Sequence, residues 1–410
     1  MNTILLLVYI IIIFNFLLER ILSWLNSSKR LRVIPDELKD VYDEEAFAKS
    51  VAYKQQYERL GFFTSVISLV AIVLMLHFEG FAYVDALCRT VTSHPILIAL
   101  LFFAILGLAS DVLGIPFEVY ATFVIEEKFG FNRSTPRLFI TDKLKEYLLG
   151  ALIGGLLLAA FIWFYYRVGE WFWIYLWFIY AAFTIFMSMF YSHLIVPLFN
   201  KQTPLPEGEL RQAIMQLADK AGFKVKDIYV MDGSKRSTKA NAYFTGLGKY
   251  KRIVLYDTLI SQLSTDEIVA VLAHEIGHYK YRHNYKGLVL SLLQMGLTLY
   301  ILSLFINSPA LTEALGVHTQ AVHISLLVFG ILYSPISLLA GLLGNIVSRK
   351  HEYQADGFVT QFGLAEPLIS ALKKLSRNNL SNINPHPAYV FFHYSHPTLL
   401  QRIRSLKNIR

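Results

Sequence analysis

Long apolar runs broken by short polar stretches set the character of this chain. Thr3 to Leu25 is almost wholly apolar up to Glu19 and Arg20, long enough to cross a bilayer core of about 30 Å as a helix. Runs of the same kind cover Phe62–Ala86, Pro95–Ile115, Tyr147–Arg167, Trp171–Leu198, Leu288–Asn307 and His323–Val347. Together they predict seven transmembrane helices. The first run has no positive residues ahead of it and no Ala-x-Ala-like cleavage site behind it, so it reads as a retained span and not as a cleaved signal peptide.

Between the fifth and sixth runs the pattern changes. From about Pro204 to His283 the chain reads as a small α/β unit: Glu207–Ala221 has helical periodicity, and Asp227–Met231 and Arg252–Tyr256 are short apolar strands. Asn241–Thr245 is a third strand, ending at Gly246. After the seventh run come a helix through Asp356, a second helix over Leu364–Asn379, and a polar segment containing Pro385, Pro387 and Pro397. The expected organisation is therefore 1–198 for five membrane helices and their loops, 199–287 for an inserted domain, 288–347 for two more membrane helices, and 348–410 for a C-terminal segment.

Composition agrees with a membrane protein. Of 410 residues 55% are hydrophobic and only 17% charged, which excludes an ordinary soluble protein. The lone Cys88 can form no internal disulfide. A net charge of +8 raises the question of nucleic acid, but its distribution answers it. The segment Asn26–Gly61 carries seven Lys or Arg and Pro116–Glu146 carries five, whereas Leu87–His94 has one and Val168–Glu170 and Ser308–Val322 have none. Basic connections mark the cytoplasmic face. The N-terminus is thus expected outside, with the inserted domain and the C-terminal tail in the cytoplasm and no nucleic-acid partner. Asp111, inside the third span, is expensive in hydrocarbon and reads either as facing a hydrated chamber or as locally paired. Trp171, Trp173 and Trp177 read as an interfacial aromatic belt.

The chemistry lies in the inserted domain and beyond the seventh run. Ser264 followed by Glu267 is a capping box that starts a helix. On that helix His274 and His278 are four apart and share a face, where two imidazoles can ligate one zinc ion. Glu275 sits one residue round from the first ligand, placed to take a proton from a water whose pKa the metal lowers toward 7. The metzincin extension is excluded because Tyr281 and Asn284 stand where it needs Gly and His. Glu352 is the better candidate for a third ligand: Asp356 at i+4 shares its helical face, so one carboxylate could ligate while the other accepts the ring N–H of a ligand histidine, the alternative being a solvated charged helix end with Arg349 and Lys350. The strand Asn241–Thr245 offers an edge to which an extended peptide can add, or else simply covers the helix. His396 and Arg402 in the tail are either supports of the site or solvated surface residues.

Five stretches in this order resemble the type I integral-membrane CAAX prenyl proteases, a family of zinc metalloproteases. They are FVIEEKFGFNRST at Phe123–Thr135, SKRSTKANAYFTG at Ser234–Gly246, VLAHEIGHYKYRH at Val271–His283, RKHEYQAD at Arg349–Asp356 and YSHPTLLQRI at Tyr394–Ile403. The resemblance implies an α-helical polytopic fold, seven helices around a water-filled chamber with a small α/β zinc-protease domain at its cytoplasmic end. It implies one Zn²⁺ per chain on His274, His278 and Glu352, with Glu275 as base and acid, and Asp356 and His396 assisting. Substrate contacts would come from Asn241, Ala242, Tyr243 and Arg402. The implied activity is endopeptidase cleavage near the C-terminus of prenylated or very apolar peptides at a bacterial inner membrane or the endoplasmic reticulum, by a monomer. A broad quality-control protease is the alternative in the same chemistry. A transporter or receptor with structural zinc is disfavoured, since such a site has no use for Glu275.

The loop charges yield a direct test. Cysteines introduced singly at Gly316 and at Lys201 are expected to label from opposite faces of sealed vesicles. Labelling of both from one face would mean that the spans are miscounted.

Overall fold

The computed structural model describes residues 2–28, 34–223, 225, 227–245 and 252–409; Gly246, the expected end of the third strand, lies outside them. Among the described residues, six helical runs are long and apolar enough to cross a membrane: Thr3–Ser28, Glu44–His77, Pro95–Glu126, Pro136–Phe199, His283–Phe305 and Val322–Thr360. The fourth, of 64 residues, holds two of the seven expected spans. It reverses at Gly169, whose φ of +63° is open to glycine without penalty. The two arms then lie side by side, with Phe161 and Tyr165 edge-on to Phe172 and Phe164 stacked on Tyr175.

In chain order the membrane half comprises α1 (Thr3–Ser28), α2 (Glu44–His77), α3 (Gly80–Val91), α4 (Pro95–Tyr120), α5 (Pro136–Leu149), α6 (Gly155–Val168), α7 (Phe172–Leu194) and α8 (Val196–Phe199). The run expected over Phe62–Ala86 is corrected by the structure. Helix α2 starts earlier, where the Asp43 side chain accepts the Ala46 N–H, and it stops at His77. Glu79 takes a left-handed conformation, and Gly80 lets the chain fold back so closely that a Cβ there would lie 2.6 Å from the Met75 sulfur. Hydropathy alone does not register such a reversal.

The second half begins with β1 (Gln202–Pro204), α9 (Glu209–Lys220), β2 (Asp227–Met231), β3 (Ala242–Thr245), β4 (Arg252–Tyr256), α10 (Asp257–Gln262) and α11 (Thr265–Lys280). There follow α12 (His283–Phe305), α13 (Pro309–Glu313), α14 (Val322–Thr360), α15 (Ala365–Asn378), α16 (Pro387–His393) and α17 (Leu399–Asn408). The sheet order is β1-β2-β4-β3, with β2 and β4 parallel and the outer pairs antiparallel. β1, too short and polar to stand out in the sequence, extends the expected sheet. Ile214, Leu217, Ile253, Leu255, Ile268 and Leu272 form the core between sheet and helices.

Helix contacts close the spans into a ring. α1 packs on α2, α2 on α4, α4 on α6, α6 on α7, α7 on α12, α12 on α14, and α14 returns to α1. At one end α4 also meets α14 through Phe102, Ile324 and Val328, which narrows the ring there. The sheet and α11 sit at the other end. Spanning both is α14, one unbroken helix of 39 residues, about 58 Å long at 1.5 Å per residue. The seventh span and the Glu352 segment are therefore a single rod.

Two intramembrane features resolve. Asp111 is locally paired: its Oδ1 lies 2.9 Å from Lys143 Nζ, and the Tyr147 hydroxyl donates to its other oxygen. Trp171 is exposed as a belt residue would be, but Trp177 is not part of a belt. Its indole N–H donates to the Leu292 carbonyl at 2.8 Å, and its ring rests where Gly296 of α12 has no side chain.

The start of α11 is secured twice. Ser264 and Glu267 form the reciprocal capping box, and the buried Glu267 carboxylate also accepts from Ser370 at 2.6 Å and pairs with Lys374 at 2.7 Å on α15. Burial pushes the Glu267 carboxyl up, but Lys374, Ser370 and the Ser264 N–H outweigh it and hold its pKa below the ordinary glutamate value. A depressed carboxyl stabilises the fold above its unfolded pKa of about 4.3 and loses that contribution as pH falls through its folded value. Glu267→Gln is expected to cost about 1–2 kcal/mol at pH 7. The deficit should shrink below about pH 4; thermal unfolding in detergent across pH checks both.

Candidate metal centre

His274 and His278 leave one face of α11, their Nε2 atoms 3.1 Å apart. Across from them α14 supplies Glu352, with Oε1 3.2 Å from His278 Nε2 and Oε2 3.4 Å from His274 Nε2. One donor atom from each residue lies within 4.8 Å of the others, a spacing that three ligands of one small cation adopt.

The two helices can come this close because of the residue between the histidines' turns. A Cβ on Gly277 would stand 3.1 Å from the Ala355 Cα and 3.2 Å from its carbonyl oxygen. Glycine here sets the helix separation, and with it the reach of Glu352.

The residues fit a metal. Glu352 Oε2 is buried without a hydrogen-bond partner, an arrangement that costs free energy unless a cation or donor completes it. Three lone-pair donors also face one another, which is repulsive without positive charge among them. Burial disfavours a charged ring at His274, yet Asp356 and Glu352 overcome this and raise its pKa above the ordinary histidine value. The cluster therefore favours a positive charge at this point. Three protein donors leave a tetrahedral ion one open position, the arrangement of a reactive site and not of a structural one.

Around the donors the network sets the tautomers. Asp356 Oδ1 lies 2.9 Å from His274 Nδ1, so that nitrogen carries the proton and Nε2 turns its lone pair inward. Arg402 from α17 forks onto Asp356, with Nη2 to Oδ1 at 2.6 Å and Nε to Oδ2 at 2.9 Å. The other histidine is held by residues the sequence did not single out together. Gln354 Oε1 accepts from His283 Nε2 at 2.9 Å, and His283 Nδ1 in turn accepts from His278 Nδ1 at 3.0 Å. This leaves His278 Nε2 free of its proton on the donor side. His283 is thus a neighbour of a donor and not itself in the donor set; Gln354, two residues beyond Glu352, carried no signal of its own.

A cleft of about 420 Å³ opens over the donors and is lined by Asn241, Ala242, Phe244, Glu275, His396 and Arg402 among others. His396 is the exposed wall, with Nε2 3.3 Å from Glu352 Oε1. Arg402 is largely buried and committed to Asp356, so what it presents to the cleft is a shielded edge. β3 forms the opposite rim, pairs among the described residues only with β4, and so has an open edge. Tyr243 points away from the donors, its hydroxyl 3.4 Å from Gln202 Nε2.

β3 is anchored to the membrane half. Lys239, just ahead of it, binds Glu126 at 2.9 Å and the Tyr53 hydroxyl at 2.8 Å, while Arg236 forks onto Asp142. Asn132 bridges Ser237, and Thr238 N–H donates to the Phe131 carbonyl. The stretches Phe123–Thr135 and Ser234–Gly246, far apart in sequence, are thus mutual contacts over their described residues.

Comparison with known proteins agrees with this geometry. Residues 23–201 match the family model described as CAAX prenyl protease N-terminal, five membrane helices, and residues 204–410 match peptidase family M48. The chain belongs to the CAAX prenyl protease branch of family M48. CAAX prenyl protease 1 homolog of Oryza sativa subsp. japonica is 39% identical over 391 residues, covering 93% of this chain and 92% of the relative. CAAX prenyl protease 1 of Saccharomyces cerevisiae is 34% identical, covering 91% and 88%. The crystal structure of S. mikatae Ste24p superposes with a TM-score of 0.94 at 33% identity, over 99% of both chains. This M48 protein is a multi-pass membrane metalloprotease, and its His274, His278 and Glu352 are a group able to bind the metal that the family implies.

The glycine contact offers a test. Gly277→Ala should improve the intrinsic stability of α11 by about 0.5–1 kcal/mol, yet weaken metal affinity about 10-fold or more by pushing α14 and Glu352 away. Competitive metal titration reads the effect. Unchanged affinity would show that the helix separation does not set the donor geometry.

Proposed function

We propose that this M48 protein is a zinc endopeptidase that cuts prenylated, CAAX-type C-termini after the lipid-bearing cysteine. The observation that carries the reading is the open edge of β3 beside three converging donors and Glu275. The relatives' names, CAAX prenyl protease 1, supply the substrate class.

In this reading His274, His278 and Glu352 hold one zinc ion, which when bound supplies a Lewis acid for the scissile carbonyl and acidifies water. The peptide adds as an antiparallel strand to β3, where the backbone groups of Ala242 and Phe244, turned away from β4, fix its register. Asn241 orients the entry of that strand. Glu275 takes a proton from the attacking water as its oxygen bonds to the carbonyl carbon. It passes that proton to the nitrogen as the C–N bond breaks, so a neutral amine leaves. His396, solvent-facing at the cleft wall, donates a hydrogen bond to the oxygen of the tetrahedral intermediate. Asp356 holds the His274 tautomer, and Arg402 holds Asp356. The basic loops support a site on the cytoplasmic face.

The test compares a peptide ending in prenyl-Cys and three further residues with its unprenylated twin. The first should show a higher kcat/KM, with cleavage after cysteine. Glu275→Gln should abolish cleavage of both while retaining one zinc per chain. Equal kcat/KM values would discard lipid recognition, and loss of zinc in Glu275→Gln would discard its role as base.

A further inference from the structure

The far face of β3 looks onto a second cleft, of about 540 Å³, that the chemistry above does not use. Its walls include Tyr191 at the end of α7, Phe199 of α8, and Tyr243 and Tyr256 of the sheet. Buried Met231 lies among them. The tyrosine hydroxyls of the sheet are occupied elsewhere, Tyr243 by Gln202 and Ser192 and Tyr256 by Asn241. What the cleft offers is therefore ring faces. Its volume falls within the range of about 300–1,000 Å³ used by ligand sites.

This cleft adjoins the metal cleft across β3, since Asn241 and Phe244 line both. We infer that it is the subsite for the isoprenoid chain of the substrate, a deepening that rests on the reading given under Proposed function. Side chains along a strand alternate between faces. In β3, Ala242 lines the metal side while Tyr243 and Thr245 line the aromatic side. A peptide added to the open edge alternates in the same way, so a lipid on one residue and the side chain of the next part to opposite faces. The metal side presents His274, Glu275, His396 and Arg402, a poor surface for hydrocarbon. The far side presents the rings of Tyr191, Phe199 and Tyr256 and no charged side chain, and its wall is the end of a membrane helix where Leu194 and Leu198 stand exposed. Because Tyr191 belongs to α7, a chain bound in this cleft lies at the end of a span.

The test uses the full-length protein and two measurements. The first is photolabelling of the unaltered protein by a peptide whose cysteine carries a 15-carbon isoprenoid ending in a diazirine. Adducts are expected on Tyr191, Phe199 or Tyr256. The second is the ratio of kcat/KM for prenylated over unprenylated peptide, expected to fall about 10-fold or more in the double variant Tyr191→Ala, Phe199→Ala and in the cleft-filling Val196→Trp. Adducts confined to other helices of the ring overturn the subsite. So does an unchanged ratio in a variant that still cleaves the unprenylated peptide, and in both cases the proposed function stands. Should a variant cleave neither peptide, the photolabelling decides. If the unaltered protein does not distinguish the two peptides, the proposed function itself falls, and the subsite with it.

Discussion

The constraint on which the site depends is the backbone crossing of α11 and α14 at Gly277 and Ala355. Everything chemical depends on it. A single methyl at Gly277 would meet backbone at 3.1 Å, and backbone cannot rotate away as a side chain can. That contact fixes where Glu352 and Asp356 stand relative to His274 and His278. Because α14 is also a wall of the membrane ring, the same helix that supplies a donor carries the load of the spans. A displacement of the membrane half along α14 is felt at the donors.

A second path runs the other way round the site. The rim strand β3 follows a segment held by Glu126, Tyr53 and Asp142, all from the membrane half. The Lys239–Glu126 pair is partly buried and reinforced by two tyrosine hydroxyls, so it is better placed to hold geometry than an exposed pair. Donors and rim are thus each fastened to the spans by a different element. The cleft between them has a width set by the ring and not by the small domain alone.

This division explains what was legible in the sequence. Local periodicity carries short-range information, so His274, His278 and Glu275 on one helix, the capping box at Ser264, and the strands at Asp227–Met231 and Arg252–Tyr256 could be read directly. Seven apolar runs likewise foretold seven crossings. Glu352 was reachable only because Asp356 follows it at helical spacing. What stayed hidden depends on long-range packing: the support of His278 by His283 and Gln354, the seat of Trp177 on Gly296, and the mutual contact of Phe123–Thr135 with Ser234–Thr245. The reversal at Glu79 was missed for a different reason, since a left-handed glutamate inside an apolar run leaves hydropathy unchanged.

The charges at the centre show how the site holds together before and after a metal arrives. Glu352 and Asp356 are both buried, and among the described residues the permanent cation facing both is Arg402. Arg402 spends its fork on Asp356 and reaches Glu352 only at 3.6 Å, too far for a full hydrogen bond. One negative charge is therefore left over at Glu352, with an oxygen lacking any partner. An orphaned polar atom costs about 1–3 kcal/mol, more when charged, and that cost falls on the crossing of α11 and α14. A divalent ion on the three donors removes it and ties the helices at the same point. The excess charge at Glu352 is therefore also what selects a cation for these three donors.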